Sequence, residues 1–352
     1  MIVLGIAGAV SHDPSAALFI DGELVAAAEE ERFIRDKHAK GRFPYEATRF
    51  CLEYAGIQPG EVDVVAFPFA RIPLSSPARW HYAVRHWYAP DRALTAILHG
   101  NRHYYRNKAR LCKLMADLGI SNARLEMVEH HLAHASSAYH LSGFKEKTAI
   151  LGIDGKGEYA TTFFGYGENG RIHKLKEFYE PDSLGGMYGA MTEYLGFEML
   201  DGEFKVMGMA PYGDSERFDL SSLLEYDGKG FRINNRLVNV VGLRRWKDPS
   251  GKGYYFSPKF VEWLGPPRQG DEIDDPYVDY AAAIQALLEK VTLGLVEHYL
   301  GDILKETGKL AFAGGVALNV KLNQRLLARD DVRELFVQPA ASDAGTDRKS
   351  TR

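Results

Sequence analysis

Leu151-Gly152-Ile153-Asp154-Gly155 echoes the opening Leu4-Gly5-Ile6-Ala7-Gly8, and this repeat decides how the chain is read. In each copy an apolar run suited to a buried strand ends on a small-residue turn. A hairpin pattern follows both times. After the first copy (Ile2 to Ala7), Ser15 to Ile20 and Glu23 to Glu29 read as strands around Asp21-Gly22. After the second, Ala160 to Gly165 and Arg171 to Lys174 flank the turn Glu168-Asn169-Gly170. Two similar halves are expected, each beginning with a hairpin-rich sheet, with the two opening turns facing one another across a cleft.

Outward from the repeats, Pro44 to Tyr54 reads as a helix. Asp279 to Thr307 reads as a long one, with Ala281, Ala282, Ile284, Leu287, Leu288 and Val291 near helical spacing, as core packing requires. Lys309 to Ala313 has the pattern of a buried strand and Val316 to Ala328 that of a further helix. The Arg71 to Leu118 segment, with Arg79-Trp80-His81-Tyr82 and Arg102-His103-Tyr104-Tyr105-Arg106, reads as a helical insertion. Its composition suits base stacking or phosphate binding, and equally suits helices whose arginine stems cover apolar surface. Gly213 to Gly270 reads as an irregular surface excursion. The expected division is a first lobe at 1–146 with the insertion at about 71–118, a second lobe at 147–346, and a polar tail at 347–352.

The 352 residues, 45% hydrophobic and 26% charged, suffice for one large α/β unit or two lobes with separate cores. A net charge of -4 argues against a surface built to coat nucleic acid or anionic membrane. Cys51 and Cys112 lack metal-ligand spacing and are expected to be buried thiols in a reducing, cytoplasmic setting. No basic leader opens the chain, and no uncharged apolar stretch reaches the roughly 18 residues of a membrane span, so neither secretion nor membrane insertion is expected.

Glu129-His130-His131-Leu132-Ala133-His134 carries the chemistry. His130 and His134 lie one helical turn apart, about 40° around the axis, so both imidazoles can meet one ion, while His131 points elsewhere. This is not the zinc-protease signature, because His131 stands where that motif needs a glutamate. Alone, the pair fits metal ligands or buried, helix-capping histidines. Asp154 ends an apolar strand, where a carboxylate is costly to bury without a cation or hydrogen bonds. Asp343, in Ser342-Asp343-Ala344-Gly345, offers a further oxygen. The bland reading of both aspartates is a turn residue accepting backbone N–H bonds. Two imidazoles with two carboxylates suit iron, manganese or zinc better than calcium or magnesium.

Gly314-Gly315 lies between a strand and a helix, where missing Cβ atoms let a nucleotide approach the backbone; a plain helix-entry turn explains it equally well. It is neither a Walker loop nor a Rossmann fingerprint. Gly202 to Gly213 looks mobile, and Lys205 within it is either a partner for a phosphate or carbamoyl oxygen or a solvated lysine. In Ser11-His12-Asp13, opposite Asp154 by the repeat, His12 has the character of a general base oriented by Asp13, or of a turn histidine bonded to backbone.

Together, His12-Asp13, Ala26 to Arg32, His130 to Ala135, Lys205 to Gly213 and Gly314 to Asn319 resemble, in order, the motifs of the O-carbamoyltransferases of antibiotic and nodulation-factor biosynthesis. The resemblance covers nearly the whole chain. That N-terminal part is similar in turn to the catalytic subunit of the tRNA threonylcarbamoyladenosine synthases, which implies a duplicated, two-lobed actin-like ATPase fold. The resemblance further implies that His130, His134, Asp154 and Asp343 hold iron(II) or another divalent transition metal, and that Gly155, Gly314, Gly315, Val316 and Asn319 line an adenosine site. It implies transfer of a carbamoyl group from carbamoyl-adenylate, made from carbamoyl phosphate and ATP, to a hydroxyl of a small natural product or glycan. His12 would take the hydroxyl proton and Lys205 would offset charge on the acyl-phosphate oxygens.

Members of that family continue into a second domain that makes carbamoyl-adenylate, whereas here a polar tail follows Thr346. The expectation is a chain that holds metal and nucleotide but does not carbamoylate from carbamoyl phosphate and ATP by itself. Three alternatives share the fold. A tRNA threonylcarbamoyl transferase is disfavoured by the Lys205 to Gly213 stretch, by Ala135-Ser136-Ser137-Ala138 and by the lack of basic charge. A truncated nucleotide- and metal-binding module without full activity also fits. A sugar kinase would not need the histidine pair.

Overall fold

The computed structural model describes residues 1–8, 12–239, 246–247, 251–270 and 274–347; Ser11 and the tail at 348–352 lie outside the described residues. The apolar runs become strands, and the two-residue period of a strand sorts their side chains onto two faces. In the first sheet β1 (Ile2–Ile6), β2 (Ser15–Ile20) and β3 (Glu23–Glu29) form an antiparallel meander. To it β4 (Val64–Phe67) and β5 (Arg124–Met127) add in parallel, in the order β3-β2-β1-β4-β5. Leu4, Ile6, Leu18, Val65 and Phe67 share a core with Ala47, Cys51 and Leu52 of the Tyr45–Ala55 helix and with Leu111 and Leu114 of the Arg102–Asp117 helix.

The second sheet repeats that plan. β6 (Thr148–Ile153), β7 (Ala160–Glu168) and β8 (Arg171–Tyr179) form the meander, and β9 (Lys309–Ala313) and β10 (Glu334–Val337) add in parallel, giving β8-β7-β6-β9-β10. The sequence repeat is thus a repeat of topology. On one face the His130–Leu141 helix sets Ala135 and Tyr139 against Ile150 and Phe163, and Ala138 against Ala311 and Ala313. On the other, Ile284, Leu288 and Leu295 of the Tyr277–Thr307 helix join a core with Leu151 and Phe312. That helix ends at Gly308, whose left-handed φ of 64° closes the last turn.

The insertion forms three helices, Pro77–Arg85, Pro90–His99 and Arg102–Asp117, the first two opened by a proline whose missing N–H costs nothing there. Its arginines work as protein braces. Arg79 donates to the carbonyls of Ile72 (2.7 Å) and Ile97 (3.0 Å), and Arg85 with His81 grips buried Asp182 at 2.8 Å each.

Several expectations need correction. Val316 to Ala328 is not one helix: Asn319 caps a helix at Val320–Leu327 by accepting from the Leu322 N–H, so Gly315–Leu318 remains a separate 3-10 turn. Gly202 to Gly213 is ordered as a helix at Glu203–Met209 and a 3-10 turn at Ala210–Tyr212, pinned by buried Val206 and Met209. Its Gly213 serves close packing, since a Cβ there would run into the Val278 carbonyl. The Gly213 to Gly270 region is no mere excursion, because Leu223, Phe231, Ile233, Phe256 and Phe260 enter the second core. Cys112 is exposed, because Leu111 and Leu114 take the inward face of its helix. Among the described residues no helix is long and apolar enough to cross a membrane.

Candidate active site

Four buried donors converge from separate parts of the chain. His130 and His134 stand on the helix after β5, Asp154 directly follows β6, and Asp343 opens the 3-10 turn Asp343–Gly345 after β10. The two Nε2 atoms lie 3.2 Å apart. Asp343 Oδ1 is 3.2 Å from His130 Nε2 and 3.6 Å from His134 Nε2, and Asp154 Oδ2 is 3.5 Å from His130 Nε2. One ligand atom from each residue falls within 4.8 Å of all the others.

His130 Nδ1 lies 3.2 Å from the Pro68 carbonyl, which can only accept, so Nδ1 carries a proton and the neutral ring would turn its Nε2 lone pair to the centre. Among the described residues, buried Asp343 Oδ2 has no hydrogen-bond partner. Two imidazoles and two carboxylates facing one another out of water are arranged to receive a cation, and mixed imidazole and carboxylate donors suit a divalent transition metal. The residues therefore fit such an ion. Without one, each group compensates its neighbours. Burial opposes charge on His130, but Asp343 and Asp154 hold its pKa well above the ordinary value. Burial and Asp343 oppose charge on Asp154, which His130 and His134 nevertheless bring down to about 2.

His12 extends the constellation. Its Nδ1 is 3.1 Å from Asp13 Oδ2 and its Nε2 3.7 Å from Asp343 Oδ2. Burial lowers its pKa, but the bond to Asp13 and the charges of Asp343, Asp13 and Asp154 outweigh this and raise it to about 9. Asp13 also receives His38 Nδ1 at 2.7 Å, so one carboxylate bridges two imidazoles. Both Asp13 (φ 47°) and His38 (φ 62°) are held in the left-handed region, at a cost the surrounding bonds must sustain.

Beside the donors lies a cavity of about 340 Å³. His12, Asp13, Lys37 and His38 line one side, Asp154, Gly155, Gly315, Val316, Asn319 and Asp343 another, and Met199, Leu200, Phe204, Met207, Leu288 and Leu318 make an apolar flank. Gly314 (φ 96°) sets the loop close to Ile153, and the Gly315 N–H donates to Asp154 Oδ1 at 2.9 Å. Asn319 has its amide engaged within the protein. Besides capping its helix it exchanges bonds with Gln285 (2.8 and 3.1 Å), which accepts from Tyr188 (3.0 Å), so this wall is braced from behind.

Lys205 is not brought to the cavity. Glu203, Phe204 and Met207 take the inward face of its helix, leaving Lys205 exposed with its ammonium over the rings of Phe197 and Phe204. The lysine that does line the cavity is Lys37, paired with Asp201. Sequence reading missed Lys37, His38, Tyr188 and Glu158. The charged run Asp36-Lys37-His38 after a strand was the available signal for the first two. Glu158, pushed up to about 7 by burial against the pull of His130 and backbone amides, accepts from Ala70 N–H (2.6 Å) and His130 N–H (3.1 Å).

Comparison with known proteins bears on this cleft. A family described as carbamoyltransferase N-terminus matches residues 2–347. An uncharacterized protein of Synechocystis, sll1178, is 37% identical over 97% of this chain and 55% of its own length. The nodulation protein NolNO of Sinorhizobium fredii is 33% identical over 98% of this chain and 48% of its own. The chain thus spans about half the length of these curated relatives. Component A of the Acidaminococcus fermentans (R)-2-hydroxyglutaryl-CoA dehydratase is 14% identical, with a TM-score of 0.50 over 99% of this chain and 95% of that one, a likeness of fold alone. The fold is that of the actin-like ATPases.

Proposed function

Because this chain belongs to the carbamoyltransferase N-terminus family, we propose that its cleft performs O-carbamoyl transfer, from carbamoyl-adenylate to a hydroxyl of a small natural product or glycan. The observation carrying the proposal is the convergence of His130, His134, Asp154 and Asp343 at the edge of the cavity. Its volume of about 340 Å³ suits a small ligand. Leu288 and Leu318 of the apolar flank, with Val316, Gly155 and Gly315 beside them, are suited to the adenosine. The polar side, His12, Asp13 and His38, is left for the acceptor.

In the transfer, the acceptor oxygen bonds to the carbamoyl carbon, the bond from that carbon to the phosphate oxygen breaks, and AMP leaves with the electron pair. The tetrad would hold a divalent metal, iron(II) by the resemblance, which when bound supplies Lewis-acid polarisation and a template for acyl-phosphate oxygens. His12 receives the hydroxyl proton at Nε2 while Asp13 fixes the ring through Nδ1. With Asp154 and Asp343 neutralised by a cation, only Asp13 still holds a proton on His12, which brings the imidazole towards the range of a working base.

The test is to supply synthetic carbamoyl-adenylate, iron(II) and a panel of polyhydroxylated acceptors under anaerobic conditions. Acceptor-dependent release of AMP and a carbamoylated product are expected, with loss of both in His12→Ala. Metal-loaded protein that gives no acceptor-dependent product over a broad panel would sink the proposal.

A further inference from the structure

We infer that Glu158 is a positioning residue for the metal centre, holding His130 in place through the main chain; this rests on the metal reading above. Among the described residues, the hydrogen bonds of Glu158 go to backbone amides and not to a donor atom of the tetrad. Its carboxylate is part-buried and accepts the His130 N–H with both oxygens (3.1 and 3.2 Å) and the Ala70 N–H with Oε1 (2.6 Å). These two amides belong to the two segments that set the His130 ring. One opens the twelve-residue His130–Leu141 helix. The other ends the stretch after β4 that includes Pro68, whose carbonyl takes His130 Nδ1. One carboxylate therefore ties the backbone of the histidine to the backbone that orients its imidazole.

The same loop carries a donor. Asp154 and Glu158 stand at the two ends of the connection from β6 to β7, and Gly157 between them lies flat on the helix start. A Cβ on Gly157 would come within 2.9 Å of His130 Cβ and 3.0 Å of its Cδ2. The loop thus delivers Asp154 to the centre and clamps His130 from behind in one piece. An outer partner of this kind governs where a donor atom sits, and its loss from a metal site typically costs affinity rather than the site itself.

The experiment uses the whole chain loaded with cobalt(II), whose visible absorption reads ligand geometry, and a chelator competition that reads affinity. Glu158→Ala is expected to weaken cobalt binding by about 10–100-fold and to shift the visible bands. Glu158→Gln, whose single carbonyl oxygen can accept both N–H bonds, is expected to stay within about threefold of wild type with unshifted bands. If Glu158→Ala does not fold, Glu158→Asp, too short to reach both amides, takes its place with an expected loss of about tenfold. A folded Ala or Asp variant with wild-type affinity and spectrum would overturn the inference and leave the metal reading intact, even if its unfolding midpoint falls. Wild-type protein that binds no metal would overturn both.

Discussion

Replacing Gly314 by alanine tests whether the Gly314-Gly315 loop and Asp154, the proposed metal ligand, are locked by main-chain packing. Gly314 sits at φ 96°, ψ 160°, a region essentially reserved for glycine, where a side chain costs about 1–3 kcal/mol. An added Cβ would also run into the Ile153 carbonyl oxygen, lying 2.7 Å from its carbon and 3.0 Å from the Ile153 nitrogen. All three atoms are backbone of β6, so no side chain can swing aside, and overpacking of this kind adds about 1–3 kcal/mol. The sum, about 2–6 kcal/mol, is a large part of the 5–15 kcal/mol typical of a folded domain. Any relief must push the end of β6, and with it Asp154, away from the Gly315 N–H that it accepts. Gly155→Ala is the control, since nothing lies within 4 Å of a Cβ there. Denaturant titration should place Gly314→Ala at least about 2 kcal/mol below wild type and Gly155→Ala within about 0.5 kcal/mol. Equal effects from the two substitutions, or no effect from the first, would refute the reasoning.

Iron content of anaerobically purified protein should be near stoichiometric in wild type and abolished in both His130→Ala and His134→Ala; iron retained in either variant counts against the tetrad. Chelation should lower the unfolding midpoint of metal-loaded wild type, since a ligand at 100 times its Kd stabilises by about 2.7 kcal/mol, and leave His134→Ala unmoved. Burial pushes the carboxyl of Glu180 from 4.5 to about 7. The folded chain therefore holds this proton more tightly than the unfolded one, so the penalty for burying Glu180 is absent below pH 4.5, grows up to about pH 7 and is constant above. Glu180→Gln should consequently stabilise by up to about 3 kcal/mol at pH 8 and by little at pH 4.5, and a pH-independent difference would contradict this. Gly208→Ala, at an exposed position with open space around a Cβ, should stabilise the Glu203–Met209 helix by roughly 0.5–1 kcal/mol in thermal melts.

The duplicated fold was legible because each copy begins with an apolar run, a small-residue turn and a hairpin, local signals that need no knowledge of the rest. The strands β1 and β6 and the long helix follow from period alone. The segments misread were those whose structure depends on distant partners. Gly202 to Gly213 has a glycine-rich composition, yet Gly213 exists to let the chain pass against Val278, a contact no local pattern announces. The helical character of Val316 to Ala328 was visible, but its break depends on the Asn319 side chain choosing the Leu322 amide. In the site, His130 and His134 identify one another by spacing, whereas Glu158 and His38 act through contacts with residues far along the chain and carry no spacing signature. Lys205 shows the opposite failure, a residue of suitable chemistry that its helix turns away from the cavity.

The scattered origin of the tetrad also constrains how the protein is made. His130 and His134 are synthesised early, Asp154 soon after, and Asp343 only near the end of the described chain, when the second sheet receives β10. A nascent chain lacking that last turn presents at most three of the four donors proposed to hold the ion. On the proposed metal reading, capture of the ion therefore follows the docking of the Asp343 turn. Bound metal would then serve as a readout of native folding across both sheets, and a preparation whose metal content falls short of its folded fraction by spectroscopy would hold chains in which the Asp343 turn has not docked.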